Sequence, residues 1–248
     1  MNYIPAPNLL DNRVILVTGA SSGLGRMASL VYARYGATVA LLARDEHKLE
    51  TVYDEIVNAG GPEPMMFPFD LETADDRNLE TLAGVIGHHL KHLDGLLHSA
   101  HAFTHLSPLH LQTMAQWQTL LGVNLIAPFA LTRVCLPLLE AAPSASVIFT
   151  GETHGHQPTA YWGGYAVAKA GLETLTRIWS QELEQTSNIR MNTLIPGPVA
   201  TPFRARTHPG ELSETLPEAD SLMPQYLYLM GPDSRDVRGR VIECQAPR

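Results

Sequence analysis

The sequence predicts one α/β domain built on a seven-stranded, mostly parallel, doubly wound sheet, and three observations predict it. Short apolar runs alternate with longer segments of helical period along the whole chain, the pattern of successive βαβ units. The runs are rich in Val, Ile and Leu without strict polar alternation, as expected of strands covered by helices on both faces. A glycine-rich string, Thr18-Gly19-Ala20-Ser21-Ser22-Gly23-Leu24-Gly25, stands where the first run gives way to the first helical segment.

Taken in order, the apolar run Arg13–Thr18 is the first strand and Leu24–Tyr35 the helix after it. Strand Thr38–Ala43 and helix His47–Ala59 repeat the unit, and strand Met65–Asp70 with helix Asp75–Leu90 repeat it again. Strand Gly95–Ser99 leads to a long helix, Met114–Glu140, whose apolar stretch Leu131 to Leu139 reads as helix core. Strand Ser146–Thr150, helix Tyr165–Gln185 and strands Arg190–Ile195 and Arg238–Cys244 complete the pattern. No repeat or linker divides residues 1–248, so one domain is expected. In such sheets ligands bind beyond the carboxyl ends of the strands. That rule points to loops Gly19–Gly23, Arg44, Asp70–Leu71, Ala100–Leu106, Gly151–Gly163 and Pro196–Pro224, the last long, Pro-rich and suited to a substrate lid.

The glycine-rich string predicts a phosphate site. Glycines allow a tight turn and close approach of backbone to phosphate, and a helix N-terminus offers free N–H groups with a partial positive charge. Gly19, Ser21, Ser22, Gly23, Leu24 and Gly25 are its candidate residues. The second strand ends Leu41-Leu42-Ala43-Arg44, with a cation where an acidic residue would bind a ribose 2′-hydroxyl. Arg44 therefore favours NADP(H) over NAD(H).

Tyr165 and Lys169, spaced i, i+4, share one helical face. A neighbouring ammonium favours a phenolate, which makes the pair a candidate acid–base unit for a carbonyl/alcohol couple.

Phosphate loop, Tyr165 and Lys169 together resemble the short-chain dehydrogenase/reductase family, and more narrowly its bacterial YciK-type branch. The resemblance runs nearly end to end. It includes Thr18–Gly25, Asp70-Leu71, Leu93-Asp94-Gly95, Asn124, Trp162-Gly163-Gly164-Tyr165, Lys169, Pro196-Gly197, Thr201 and Met223 to Gly231. It implies a Rossmann-like fold and a nicotinamide cofactor. By the same resemblance Tyr165 is the acid/base, Lys169 binds the nicotinamide ribose and lowers the tyrosine pKa, and Asn124 holds a water that relays protons to Lys169. Asp70 and Leu71 would lie at the adenine, Ser99 and Ala100 along the cofactor, and Pro196, Gly197, Val199 and Thr201 at the nicotinamide amide.

Two departures stand out. Glu152, thirteen positions before Tyr165, occupies the place of the family's serine, and an ionised carboxylate there opposes alkoxide charge. If protonated, it could still donate a hydrogen bond. Ser99-Ala100-His101 replaces the family's Asn-Ala-Gly, so the His101 side chain can crowd the cofactor. The reading that follows is an NADP(H)-dependent oxidoreductase acting on a small-molecule carbonyl or alcohol. Its alternative is a catalytically impaired protein of the same fold that binds a dinucleotide or a partner.

Other readings are weaker. His101, His105, His154 and His156 flank the expected site, but without tight ligand spacing, and no metal is expected. Arg204 and Arg206 in the lid are candidates to clamp an acidic substrate. A net charge of −8 argues against a nucleic-acid or anionic-membrane partner, and no segment is read as a membrane span. Two well-separated cysteines fit a reducing, cytoplasmic setting. The two long helices are the expected faces of a homodimer or homotetramer, as the resemblance implies.

Overall fold

A computed structural model describes residues 3–245. Seven strands form one parallel sheet in the order β3-β2-β1-β4-β5-β6-β7. They are β1 (Val14–Thr18), β2 (Thr38–Ala43), β3 (Met65–Pro68), β4 (Gly95–His98), β5 (Ala145–Thr150), β6 (Ile189–Ile195) and β7 (Val241–Glu243). The strand order reverses between β1 and β4, so their carboxyl ends open a crevice where a ligand can sit.

Successive residues of β1 face opposite cores, which explains the unbroken apolar runs. Ile15 and Val17 pack with helices α1 (Gly23–Arg34), α2 (Glu46–Asn58) and α9 (Met223–Met230). Val14 and Leu16 pack with α3 (Asp76–Leu90), α5 (Ala127–Glu140) and α7 (Gly163–Leu183). Each fully buried Val, Leu or Ile contributes about 1.5–3 kcal/mol, offset by the conformational entropy of ordering the chain.

The long helix expected over Met114–Glu140 is continuous but not uniform. It comprises α4 (Met114–Leu121), a wider π turn over Gly122–Ile126, and α5. The π turn carries the buried Asn124. Residues 114–132 lack charge, and the helix is long and apolar enough to cross a membrane, which corrects the sequence reading on that point. Within this fold, however, Leu131, Cys135 and Leu139 are buried against the sheet and Arg133 pairs with Asp76 at 2.7 Å.

The sequence reading also missed three short helices. These are α6 (Thr153–His156), α8 (Pro202–Thr207) and α9, each in a segment taken for loop. The proposed lid, Pro196–Pro224, is therefore partly ordered: it contains α8 and two 3-10 turns, and its last two residues already belong to α9. Pro224 did not signal a loop because proline is well tolerated in a helix's first turn. The last strand is shorter than expected. At the base of the sheet, buried Arg190 donates to the Gly231 carbonyl at 3.0 Å and Arg13 to the Met230 carbonyl at 2.8 Å. These two cations satisfy the carbonyl end of α9.

Candidate active site

A cavity of about 410 Å³ opens along the carboxyl ends of the strands. At one end the chain leaves β1 through Gly19, whose φ is +67°. A Cβ there would come within 2.8 Å of the Ala100 backbone, so glycine is required by both conformation and space. Thr18 Oγ1 accepts hydrogen bonds from the Ser99 and Ala100 amides, each at 3.1 Å, and so locks the β1 turn to the end of β4. Helix α1 begins after Ser22, whose side chain makes no capping hydrogen bond, and its first turn has no acidic residue. Its first amides thus remain available to an anion.

Gly19, Ser21, Ser22, Gly23 and Leu24 line this end of the cavity. Gly25 does not: it packs against the Gly19 carbonyl and lets α1 approach the turn. Arg44, Asp70 and Leu71 line the far wall. Arg44 is largely exposed and only loosely paired, at 4.0 Å from Asp70 and 3.7 Å from Glu72. Lys48 lines the same wall, a cation the sequence reading did not select.

At the other end, Tyr165 and Lys169 project from α7 into the cavity lining and are both buried. Lys169 donates to the Thr150 carbonyl at 2.8 Å, and its Nζ lies 5.7 Å from the Tyr165 ring centroid. Burial pushes the Lys169 pKa down to about 8, partly offset by Glu152. Burial, reinforced by Glu152, raises the Tyr165 pKa well above its ordinary value of 10.0. This corrects the expectation of a lowered tyrosine pKa in the protein alone, because desolvation and a carboxylate outweigh the ammonium.

Glu152 lines the cavity at the N-cap of α6. Burial raises its pKa, against the pull of Lys169, the His154 and Thr153 amides, and Arg204. Asn124 does not reach the cavity lining. Its side-chain amide donates to the Ala102 and Leu120 carbonyls, both at 2.8 Å, and its Oδ1 accepts from the Ala102 amide at 3.2 Å. With the side chain thus engaged, it braces the segment after β4.

An aromatic wall surrounds Tyr165, and the sequence reading missed most of it. Phe103 packs edge-on to Tyr165 at 5.3 Å, Trp162 lies 5.9 Å from it, and Phe203 of α8 lies 5.7 Å from it. The His101 ring is turned edge-on against Phe203 at 4.6 Å, and burial with Lys169 nearby lowers its pKa to about 4. His154 stacks on Trp162 at 4.0 Å. An apolar-and-aromatic spacing signal was absent, because these rings come from three separate loops.

The remaining candidates are dispersed. His156 is tied to Glu173 at 3.0 Å and lies off the cavity, as does His105. Among the described residues no group of three His, Cys, Asp or Glu is placed to hold a metal. Arg204 and Arg206 line the cavity but are already engaged. Arg204 makes a bidentate pair with Glu211 at 2.5 and 3.1 Å, and Arg206 donates to the Phe103 and Thr104 carbonyls at 3.2 and 3.4 Å. Arg206 thereby ties α8 to the segment after β4, and the acidic-substrate clamp finds no free guanidinium in Arg204. Ser99, Ala100, Pro196, Gly197, Val199 and Thr201 line the cavity between the two ends. Buried His98, also missed, is hydrogen-bonded to Thr132 at 2.8 Å and stacked on Phe149.

A doubly wound sheet with an anion-ready turn at one end of a cleft and a Tyr–Lys pair at the other defines a dinucleotide-dependent class of protein. The family model for short chain dehydrogenase matches residues 13–212. The chain is 40% identical to YciK of Escherichia coli (strain K12), an uncharacterised oxidoreductase, over 100% of this chain and 98% of that one. A short chain dehydrogenase of Escherichia coli CFT073, solved with NADPH, superposes with a TM-score of 0.95 at 40% identity, covering 98% and 100% of the two chains. Its counterpart from Shigella flexneri 2a, solved with NADP, gives 0.94 at 39% identity, covering 97% and 100%. The chain belongs to the short-chain dehydrogenase family of oxidoreductases, in its YciK-type branch.

Proposed function

We propose that this protein is an NADP(H)-dependent oxidoreductase that interconverts a carbonyl and an alcohol. One observation carries the reading: a single cavity joins the glycine-rich turn and Arg44 to Tyr165 and Lys169. The turn at Gly19, the uncapped start of α1 and the cation at Arg44 fit a dinucleotide with a 2′-phosphate. Relatives solved with NADPH and NADP support the same choice. When bound, the cofactor supplies or accepts the hydride.

The protein's own residues handle the proton. Tyr165 holds it at Oη and passes it to the substrate oxygen during reduction, or takes it during oxidation. Lys169, fixed by the Thr150 carbonyl, keeps a positive charge beside the phenol and near the cofactor ribose. Asn124 positions the Ala102 segment, leaving its main chain to serve any water that relays protons to Lys169. Pro196, Gly197, Val199 and Thr201 face the nicotinamide side, and α8 closes over the substrate. Exposed Ile126 at the end of the π turn and Phe129 on α5, with Val167 and Ile178 on α7, support a homodimer or homotetramer through these helices. The two free cysteines support a cytoplasmic setting.

The test is NADPH consumption with a panel of aliphatic and aromatic aldehydes and ketones. Tyr165→Phe is expected to lower turnover at least about 100-fold while NADPH affinity stays within about threefold. Equal turnover by the variant would remove Tyr165 from the mechanism. A second reading, a dinucleotide-binding protein without turnover, draws on the way Glu152 raises the Tyr165 pKa. It predicts tight NADPH binding with no carbonyl reduced.

A further inference from the structure

Glu152 lines the cavity with Tyr165, Lys169 and Trp162, and the proposed reaction gives it no role. An ionised carboxylate there destabilises an alkoxide forming beside Tyr165. The nearby cations do not neutralise it by contact. Among the described residues Glu152 has no ion pair within 4.0 Å: Lys169 donates to the Thr150 carbonyl and Arg204 is held by Glu211. Arg206, on the lid side, donates to the Phe103 and Thr104 carbonyls. Among the described residues no histidine makes an ion pair with Glu152 either: His47, His92 and His156 pair with Glu50, Asp94 and Glu173.

The wall beside this carboxylate is aromatic. Trp162, Phe203, Tyr165 and His101 all line the same cavity, and Phe103 packs behind them. Aromatic faces attract an organic cation, and a carboxylate with no counterion completes its recognition. The electrostatics of the reaction point the same way. A carboxylate next to a nascent alkoxide raises the barrier, whereas a cation held between the two stabilises both.

Building on the NADP(H)-dependent carbonyl/alcohol reading above, we propose that Glu152 and the aromatic wall bind an ammonium group one carbon away from the reacting centre. The substrate class is then vicinal amino alcohols and the matching amino ketones. In oxidation the carbinol C–H bond breaks and its electron pair leaves as hydride to the oxidised nicotinamide. The O–H bond breaks and its proton passes to the Tyr165 phenolate as C=O forms. The substrate ammonium keeps its protons throughout, lies between Glu152 and the oxygen, and takes over the polarising role of the missing serine hydroxyl.

The test compares two probes of equal size by calorimetric titration, 2-amino-1-phenylethanol and 1-phenylethane-1,2-diol, with saturating NADP+ and without it. The amine is expected to bind at least about 10-fold more tightly than the diol, the size of one desolvated charge contact. In Glu152→Gln, which keeps the volume and removes the charge, the two are expected to bind within about twofold of each other. Glu152→Ser is run in parallel, with thermal unfolding of both variants, so that a fold defect in one leaves the other to decide. Equal binding of the two probes, a preference that survives both substitutions, or binding of neither probe would overturn the proposal. The NADP+ titration in the same series is read separately. Loss of NADP+ binding with the amine preference intact breaks only the oxidoreductase reading, and the converse breaks only this one.

Discussion

The turn after β1 and the wall after β5 lie on the same edge of the same sheet, but they are made of different material. The turn is built from backbone: Gly19 in the left-handed region, the Thr18 lock on β4, and the free amides of α1. The wall is built from side chains, Glu152 and His101 among them. A backbone device tolerates almost no substitution, so it persists with the fold. A side-chain device can change its chemistry one residue at a time while the fold stays the same.

Breaking the backbone end should have the largest effect. Gly19→Ala places a Cβ 2.8 Å from the Ala100 backbone at a φ of +67°, and is expected to weaken NADPH binding about 30- to 100-fold and to cost about 2–3 kcal/mol of stability. Gly23→Ala also has a positive φ, +52°, but its nearest neighbour is Thr201 Cγ2 at 4.0 Å, so the stability loss should be nearer 1 kcal/mol. Denaturant unfolding and NADPH titration of the two variants check the difference. Equal losses would mean that space at Gly19 is not what matters.

The pH dependence of stability distinguishes buried His98 from His101 and His154. Burial depresses the His98 pKa from 6.5 to about 3. Between those values the unfolded chain holds a proton that the folded chain does not, so stability is full above about pH 6.5 and falls as the pH drops toward 3. The slope is roughly 1.4 kcal/mol per pH unit for this one site. His101 and His154, both lowered to about 4, act in the same direction over a narrower range. His98→Phe, which retains stacking on Phe149, should flatten the urea-midpoint dependence by about one proton between pH 6 and 4. An unchanged slope would place the acid sensitivity at His101 and His154 instead.

The same division governs what could be read in the sequence. Period and apolar runs placed all seven strands within a few residues, because the inner strands are covered by helices on both faces and so are largely apolar. Gly19 to Leu24, Arg44, Tyr165 and Lys169 were legible because each is tied to a strand end or a helical spacing. Phe103 and Phe203 were not, because they lie far apart in the chain and only the fold brings their rings together, at 5.3 Å. Gly25 reads as a cofactor ligand and Asn124 as the holder of a relay water, whereas their side-chain and backbone contacts support the segments that line the cavity, and spacing does not distinguish the two roles. The start of helix α9, Met223 and Pro224, reads as lid in the sequence because proline there resembles a loop signal until burial is known.

Whether the backbone turn and Arg44 hold NADP(H) in the cavity that contains Tyr165 is decided by titration with NADPH and NADH, followed by cofactor fluorescence. NADPH is expected to bind at least about 10-fold tighter than NADH, with Arg44→Ala removing the preference and leaving NADH affinity unchanged. No binding of either cofactor at concentrations on the order of millimolar would contradict it, and would make His101 beside Phe203 the first obstacle to examine.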